Sequence, residues 1–140
     1  MSAEVFIDTN VFVYHVEDLD RRKQRIAEGI IRDALASGSA CISYQVVQEW
    51  LNTFLRKAVK PLPDELARDY LDQVLWPLVQ TVPSAGLYRR ALELRKRWQL
   101  GFYDALIVAA ALQSNCSRLL SEDLSHGQRI EGLKIENPFA

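Results

Sequence analysis

Glu4-Val5-Phe6-Ile7-Asp8-Thr9-Asn10-Val11-Phe12-Val13-Tyr14 is the stretch on which the reading of this chain turns. Val5, Phe6 and Ile7 form a short apolar run of β-branched and aromatic residues, the pattern of a buried strand. Asp8, Thr9 and Asn10 break it with three small polar residues that favour turns and helix caps. A strand ending on Asp8 leaves a carboxylate at the carboxyl edge of a sheet, where open α/β sheets bind ligands. Taken alone, the triplet is most simply the cap of the following turn. Its meaning depends on whether other carboxylates join Asp8.

Downstream, short apolar runs alternate with longer helical patterns. Val11 to His15 begins a short helix. Asp18 to Ala36 makes a longer one, with Leu19, Ile26, Ile30 and Ala34 at helical spacing opposite a charged face. Ser37-Gly38-Ser39 stops it, and Ala40-Cys41-Ile42 is a second strand ended by Ser43. A helix from Tyr44 to Lys57 carries Val46, Val47, Trp50, Leu51, Phe54 and Leu55 on one broad apolar face. After Pro61 and Pro63, Asp64 opens a helix to Trp76 with Leu66, Tyr70, Leu71, Val74 and Leu75 as its stripe, and Pro77 ends it.

Val79 to Val82 is a third strand. Ser84 caps a helix to Trp98 that turns Leu87, Ala91, Leu94 and Trp98 inward. Ala105 to Leu112 is apolar nearly all round, which suits a helix buried in the core. Arg118-Leu119-Leu120 is a fourth strand closed by Ser121-Glu122-Asp123, and Leu133-Lys134-Ile135 is a short last one. Strands alternating with helices imply a parallel sheet of about five short strands covered by helices, one α/β domain over residues 1–140.

Composition narrows the class. The chain has 140 residues, 49% hydrophobic and 25% charged, enough to build a core. No apolar run reaches bilayer-spanning length and no secretory pattern opens the chain, so a cytoplasmic protein without membrane contact is expected. Cys41 and Cys116 stand in apolar stretches and read as small buried residues. Seventeen Lys and Arg against eighteen Asp and Glu give a net charge of −1. That excludes a strongly basic nucleic-acid binder and leaves local basic patches on helix faces, each of which is ordinarily a solvated surface.

Four acidic residues fall where such a sheet exposes its functional edge. Asp8 ends the first strand, and Glu49 lies in the early turns of the helix after the second. Asp104 starts the buried helix, and Asp123 follows the fourth strand. Singly, Asp104 suits a helix N-terminus, Asp123 a turn and Glu49 a surface. Together they repel one another unless a cation neutralises them. Hard divalent cations such as Mg²⁺ and Mn²⁺ take oxygen ligands, and a site of this kind can bind a phosphodiester and activate water. Thr9, Asn10 and Ser121 supply hydroxyl and amide groups able to orient a carboxylate or a water from behind.

At these residues the chain resembles the PIN-domain family of metal-dependent ribonucleases, and within it the VapC-type toxins of toxin–antitoxin pairs. The matching pieces are Phe6 to Asn10, Ser43 to Glu49, Asp104 to Ala111, and Leu119 to Leu124 with Gly127, in the family's order. The resemblance implies a Rossmann-like sheet with Asp8, Glu49, Asp104 and Asp123 around one or two Mg²⁺ or Mn²⁺ ions. In that scheme Asp8 and Asp104 are metal ligands and Asp123 completes the metal shell or holds a water. Glu49 binds metal or helps activate water. It also implies endonucleolytic cleavage of RNA, a homodimer and a small inhibitory antitoxin. Glu122 and Asp123 are adjacent, and on a strand-like backbone only one faces the site; Asp123 is taken here.

His15 and His126 lack a paired nucleophile and are given no role. Trp50, Trp76 and Trp98 sit on apolar faces as core or interface residues. A receiver-type signalling domain would want an acidic pair at the first strand and a late lysine, which are missing. A haloacid-type phosphatase would need an acid where Asn10 stands. A non-catalytic RNA- or protein-binding module on the same fold is the alternative, opposed by the retention of all four acids.

Overall fold

Residues 3–57 and 60–140 are described by a computed structural model. In chain order the strands are β1 (Val5–Ile7), β2 (Ala40–Ser43), β3 (Val79–Thr81), β4 (Arg118–Leu120), β5 (Arg129–Ile130) and β6 (Leu133–Glu136). The helices are α1 (Thr9–Val16), α2 (Arg21–Ser37), α3 (Tyr44–Asn52), α4 (Asp64–Tyr70), α5 (Ala85–Trp98) and α6 (Phe102–Gln113). The sheet runs in the order β3-β2-β1-β4-β6-β5. Every pairing is parallel except the last, where β5 runs antiparallel to β6.

β1 sits between β2 and β4, with Phe6 level with Cys41 on one side and Leu119 on the other. A strand covered on both faces must be apolar throughout, and Phe6, Ile7 and Leu119 are fully buried. The chain winds from β1 outward through β2 to β3, then returns to place β4 on the other flank of β1. The topological switch point therefore lies between β1 and β4, where α/β sheets bind ligands.

Helices cover both faces of this sheet. α6 is the most deeply embedded, with Ala105 through Ala111 all buried, as its unbroken apolar run predicts. On α5 the inward residues are Leu87, Ala91 and Leu94, with the Ser84 hydroxyl accepting from the Leu87 amide at 3.1 Å. α3 buries Trp50 completely. Its ring stacks on Tyr70 at 4.4 Å between centroids and lies 4.8 Å from Phe54, and its Nε1 donates to the Phe12 carbonyl at 3.2 Å.

Several boundaries differ from the sequence expectation, each for a local reason. α2 begins at Arg21 because the Asp20 carboxylate accepts from the Lys23 amide at 3.1 Å. It buries Ala27, Ile31 and Ala34, while Leu19 is left 62% exposed, so the inward stripe is rotated by one residue from Ile26 and Ile30. α3 stops at Asn52, where the Thr53 hydroxyl donates to the Glu49 carbonyl, and a wider π-type turn carries on over Thr53–Lys57. The helix expected from Asp64 to Trp76 splits into α4, a second wide turn at Leu71–Leu75 and a tight 3₁₀ turn at Trp76–Leu78 around Pro77. Leu66 is exposed and Trp76 is 53% exposed, whereas Ala67 and Leu75 are inside.

A sixth strand, β5, joins the expected five. Glu131 at φ 51° and Gly132 at φ 89° make the two-residue turn of a hairpin that pairs Ile130 with Leu133.

Trp50 joins α1, α3 and the Tyr70 segment through apolar area and one hydrogen bond. Trp50→Ala is expected to cost about 3–5 kcal/mol of stability, read from the urea midpoint followed by circular dichroism. A cost below about 1 kcal/mol would mean that these elements are held together by something else.

Candidate active site at the carboxyl edge of the sheet

β1 and its two neighbours, β2 and β4, run parallel and end at the same edge of the sheet. The backbone continues the β1–β4 ladder by one step, the Asp8 amide donating to the Leu120 carbonyl at 2.9 Å. That step brings Asp8 over the end of β4. It is buried, with 4% of its surface exposed. Its Oδ1 accepts from the Thr9 amide at 2.7 Å as the cap of α1, and its Oδ2 accepts from the Ser121 hydroxyl at 2.7 Å. The simple capping role and a place in an acidic cluster thus coexist in one side chain.

Around it opens a cleft of about 470 Å³ lined by Asp8, Thr9, Asn10, Gln45, Glu49, Asp104, Glu122 and Asp123 among others. All four acids marked in the sequence therefore meet in one place. Thr9 and Asn10, in the first turn of α1, point to different walls. The Thr9 hydroxyl donates to Glu49 Oε1 at 2.6 Å, tying α1 to α3. Asn10 Nδ2 donates to Asp123 Oδ2 at 3.3 Å, tying α1 to the loop after β4. Ser121 Oγ, while donating to Asp8, accepts from the Asp123 amide at 3.1 Å and so fixes that loop. Asp104 stands half-buried in the first turn of α6, near the positive end of the helix.

Glu122 and Asp123 both line the cleft, against the expectation that one would turn away. The chain has left β4 by residue 121 and the two-residue alternation of a strand no longer applies. Their partners differ. Glu122 accepts from the Tyr14 hydroxyl and from Lys23 Nζ, each at 2.5 Å, while Asp123 has only the amide of Asn10 on its carboxylate among the described residues.

The electrostatics follow from crowding acids in a partly dry cleft. Burial pushes the Asp8 carboxyl up to about 7, the Ser121 and Thr9 hydrogen bonds pull it back, and the charges of Asp123 and Glu49 push further upward. Burial raises Asp104 as well, with Asp123 and Glu49 adding to it. Glu122 goes the other way. Burial works against its charge, but hydrogen bonds from Lys23 and Tyr14 outweigh that and hold it below the usual carboxylate range.

Among the described residues the lining holds six acids (Asp8, Glu17, Glu49, Asp104, Glu122 and Asp123) and no lysine or arginine. Among the described residues no three such side chains stand close enough to grip an ion in their present rotamers. Uncompensated carboxylates hold apart, and each of Asp8, Glu49 and Asp123 is engaged with a hydroxyl or amide donor. The donor chemistry nonetheless fits a hard divalent cation. The groups are all oxygen, negative charge is in excess, and the buried amide oxygens Asn10 Oδ1 and Gln45 Oε1 have no hydrogen-bond partner among the described residues.

Gln45 was not marked in the sequence. Its only sequence signal is a polar side chain four residues before Glu49 on the apolar side of a helix. The histidines sit apart in structural contacts, His15 Nδ1 with the Tyr70 hydroxyl at 2.8 Å and His126 Nδ1 accepting from the Asn137 amide at 2.9 Å.

Sheet order and cleft together define an α/β protein with an acid-lined site at its switch point. The PIN domain profile matches residues 5–128, and the chain belongs to the PIN-domain family. No curated protein matches the chain by sequence. Among solved structures it is similar to a chain of VapBC2 from Rickettsia felis bound to a DNA fragment from their promoter. That match has 22% identity and a TM-score of 0.65 over 95% of this chain and 97% of that one. A DNA-bound VapBC from Salmonella typhimurium matches at 17% identity and TM-score 0.66, covering 97% and 98%. Mycobacterium tuberculosis VapC20, a sarcin–ricin loop cleaving toxin, matches at 19% and 0.63, covering 86% and 92%. These likenesses establish the shared fold.

The buried Asp8 predicts a definite pH dependence. Its carboxyl is raised on folding from its ordinary value of 3.8 to about 7, so the proton it keeps on folding stabilises the native state at low pH. That stability is present below 3.8 and lost as pH rises to about 7. In EDTA, the melting temperature of Asp8→Asn minus that of wild type should therefore grow between pH 4 and pH 7 and then level off. A flat difference across this window would show that Asp8 ionises normally.

Proposed function

We propose that the chain is a metal-dependent endoribonuclease, acting as the toxin of a toxin–antitoxin pair, and that residues 1–140 work as one domain in the cytoplasm. The reading is carried by a single observation, the meeting of Asp8, Glu49, Asp104 and Asp123 in one acid-lined cleft of a PIN-domain chain. Asp8 and Asp104 are assigned as the principal ligands of Mg²⁺ or Mn²⁺, with Asp123 completing the shell. A divalent ion held there supplies Lewis acidity toward the phosphodiester and lowers the pKa of water.

The protein's own groups do the rest. Glu49, oriented by the Thr9 hydroxyl, is the acceptor for the proton of the attacking water. Ser121 holds one Asp8 oxygen in place, and Asn10 holds one Asp123 oxygen. Glu122, neutralised by Lys23 and Tyr14, stays out of the ligand set. RNA is the proposed substrate class. A structured ribosomal hairpin is the first to try, because one neighbour in fold is a sarcin–ricin loop cleaving toxin. A small antitoxin protein is the proposed partner, since other neighbours are VapBC assemblies and one is a toxin–antitoxin complex from Klebsiella pneumoniae. A homodimer is proposed as the working form.

The test is cleavage of total RNA by the purified chain in Mg²⁺, in Mn²⁺ and in EDTA. Discrete fragments that require metal, and whose rate falls on the order of 10²–10³-fold or more in Asp8→Asn and in Asp104→Asn, are expected. A folded wild type that cuts nothing under either metal would instead favour a non-catalytic binding module. Activity surviving both substitutions would remove the acidic cleft as the site.

Ser121→Ala gives a finer expectation. Loss of the hydroxyl that donates to Asp8 should lower the cleavage rate about 10–100-fold and move the acidic limb of the pH–rate profile upward. An unchanged profile would show that Asp8 does not depend on Ser121.

A further inference from the structure

Gln45 occupies the first turn of α3, one turn before Glu49 and on the same side of the helix. It is 92% buried, unusual for a glutamine at the wall of an open cleft. Its Nε2 donates to the carbonyl of Tyr103 at 3.1 Å, in the first turn of α6 and one residue before Asp104. That hydrogen bond fixes which end of the amide is nitrogen, so Oε1 is the free end. Oε1 is buried and accepts from no described group. A glutamine that served only to fill space would leave this acceptor unpaired for no return, and a methionine would fill the same volume without that cost.

Its position supplies a reason. The acids enter the cleft from three directions. Thr9 links α1 to Glu49, and Asn10 and Ser121 link α1 and β1 to the loop of Asp123. Asp104 is the exception, since its carboxylate accepts no hydrogen bond from the described residues. The Gln45 amide is the side-chain tie to the turn that carries it. We infer that Gln45 is a positioning residue that clamps the first turn of α6 to the first turn of α3 and so sets the separation of Asp104 and Glu49 across the cleft. The inference rests on reading the cleft as a cation site, and it adds a role for a residue that would itself carry no charge to the ion.

Mn²⁺ binding to the full-length chain, without RNA, tests it by electron paramagnetic resonance titration of free Mn²⁺. Wild type is compared with Gln45→Met, which keeps the volume and loses both polar ends, and with Gln45→Asn, which keeps the amide but falls a methylene short. Asp104→Asn is the reference for a lost ligand. Both Gln45 variants are expected to bind Mn²⁺ about tenfold or more weakly, with thermal melting close to wild type. A merely structural glutamine would shift melting and leave the Mn²⁺ affinity alone. If Gln45→Met fails to fold, Gln45→Asn alone decides.

Mn²⁺ affinity equal to wild type in a folded Gln45 variant, while Asp104→Asn loses it, overturns this inference and leaves the nuclease reading standing. A wild type that binds no Mn²⁺ overturns both together.

Discussion

The hydrogen bond from Ser121 to Asp8 spans the switch point of the sheet, and the site depends on it. It joins the residue after β1 to the residue after β4, so it exists only when those two strands lie side by side in register. It also makes tolerable what the fold otherwise makes costly, a carboxylate sealed among apolar strands. Burial alone would drive Asp8 to hold its proton. Two hydrogen bonds oppose that and leave the group near 7.

From that bond the site spreads through three consecutive residues. Asp8 faces β4, Thr9 reaches Glu49 on α3, and Asn10 reaches Asp123 beyond β4. A helix turns through about 100° per residue, so neighbours in its first turn point to different walls. The cleft is therefore organised by one tripeptide, and its other acids are borrowed from distant parts of the chain. Asp104 is reached by a different route, through the buried glutamine of α3. Hydrogen bonds from Ser121, Thr9 and Asn10 hold Asp8, Glu49 and Asp123 in place in the cleft.

Much of this was legible in the residues. Val5-Phe6-Ile7 announced itself as a strand because buried parallel strands are apolar, β4 through its two buried leucines Leu119 and Leu120, and α6 because nothing else is apolar for so long. Asp8, Asp104 and Asp123 were visible because each stands close to an element boundary, and Glu49 because it borders the apolar face of α3. What was hidden has physical causes. Ile26 and Ile30 lie one residue round the helix from Ala27 and Ile31 and pack, partly buried, against the margin of the core, so the pattern shows an apolar stripe without fixing its centre. β5 is two residues long, too short for any period, although Glu131-Gly132 was a hairpin turn in plain view. The breaks after Asn52 and Tyr70 come from side chains and a proline competing with the helix ladder, which propensity alone does not rank. Gln45 could not be found from sequence, because its partner is a backbone carbonyl fifty-eight residues away.

The separation of β1 from β4 has a consequence for how the protein comes into being. β1 is made long before β4, yet one of its edges is covered only by that later strand, which starts at residue 118. Until then a central, wholly apolar strand has an open side, and chains at this stage of synthesis are exposed to wrong pairings. Over the same interval the residues of the cleft are in different places, for Asp123 has not yet been made when Asp8, Glu49 and even Asp104 already have. Asp123 thus joins the other acids only once β4 has been made, and pairing β4 with β1 and completing the acidic group are one event.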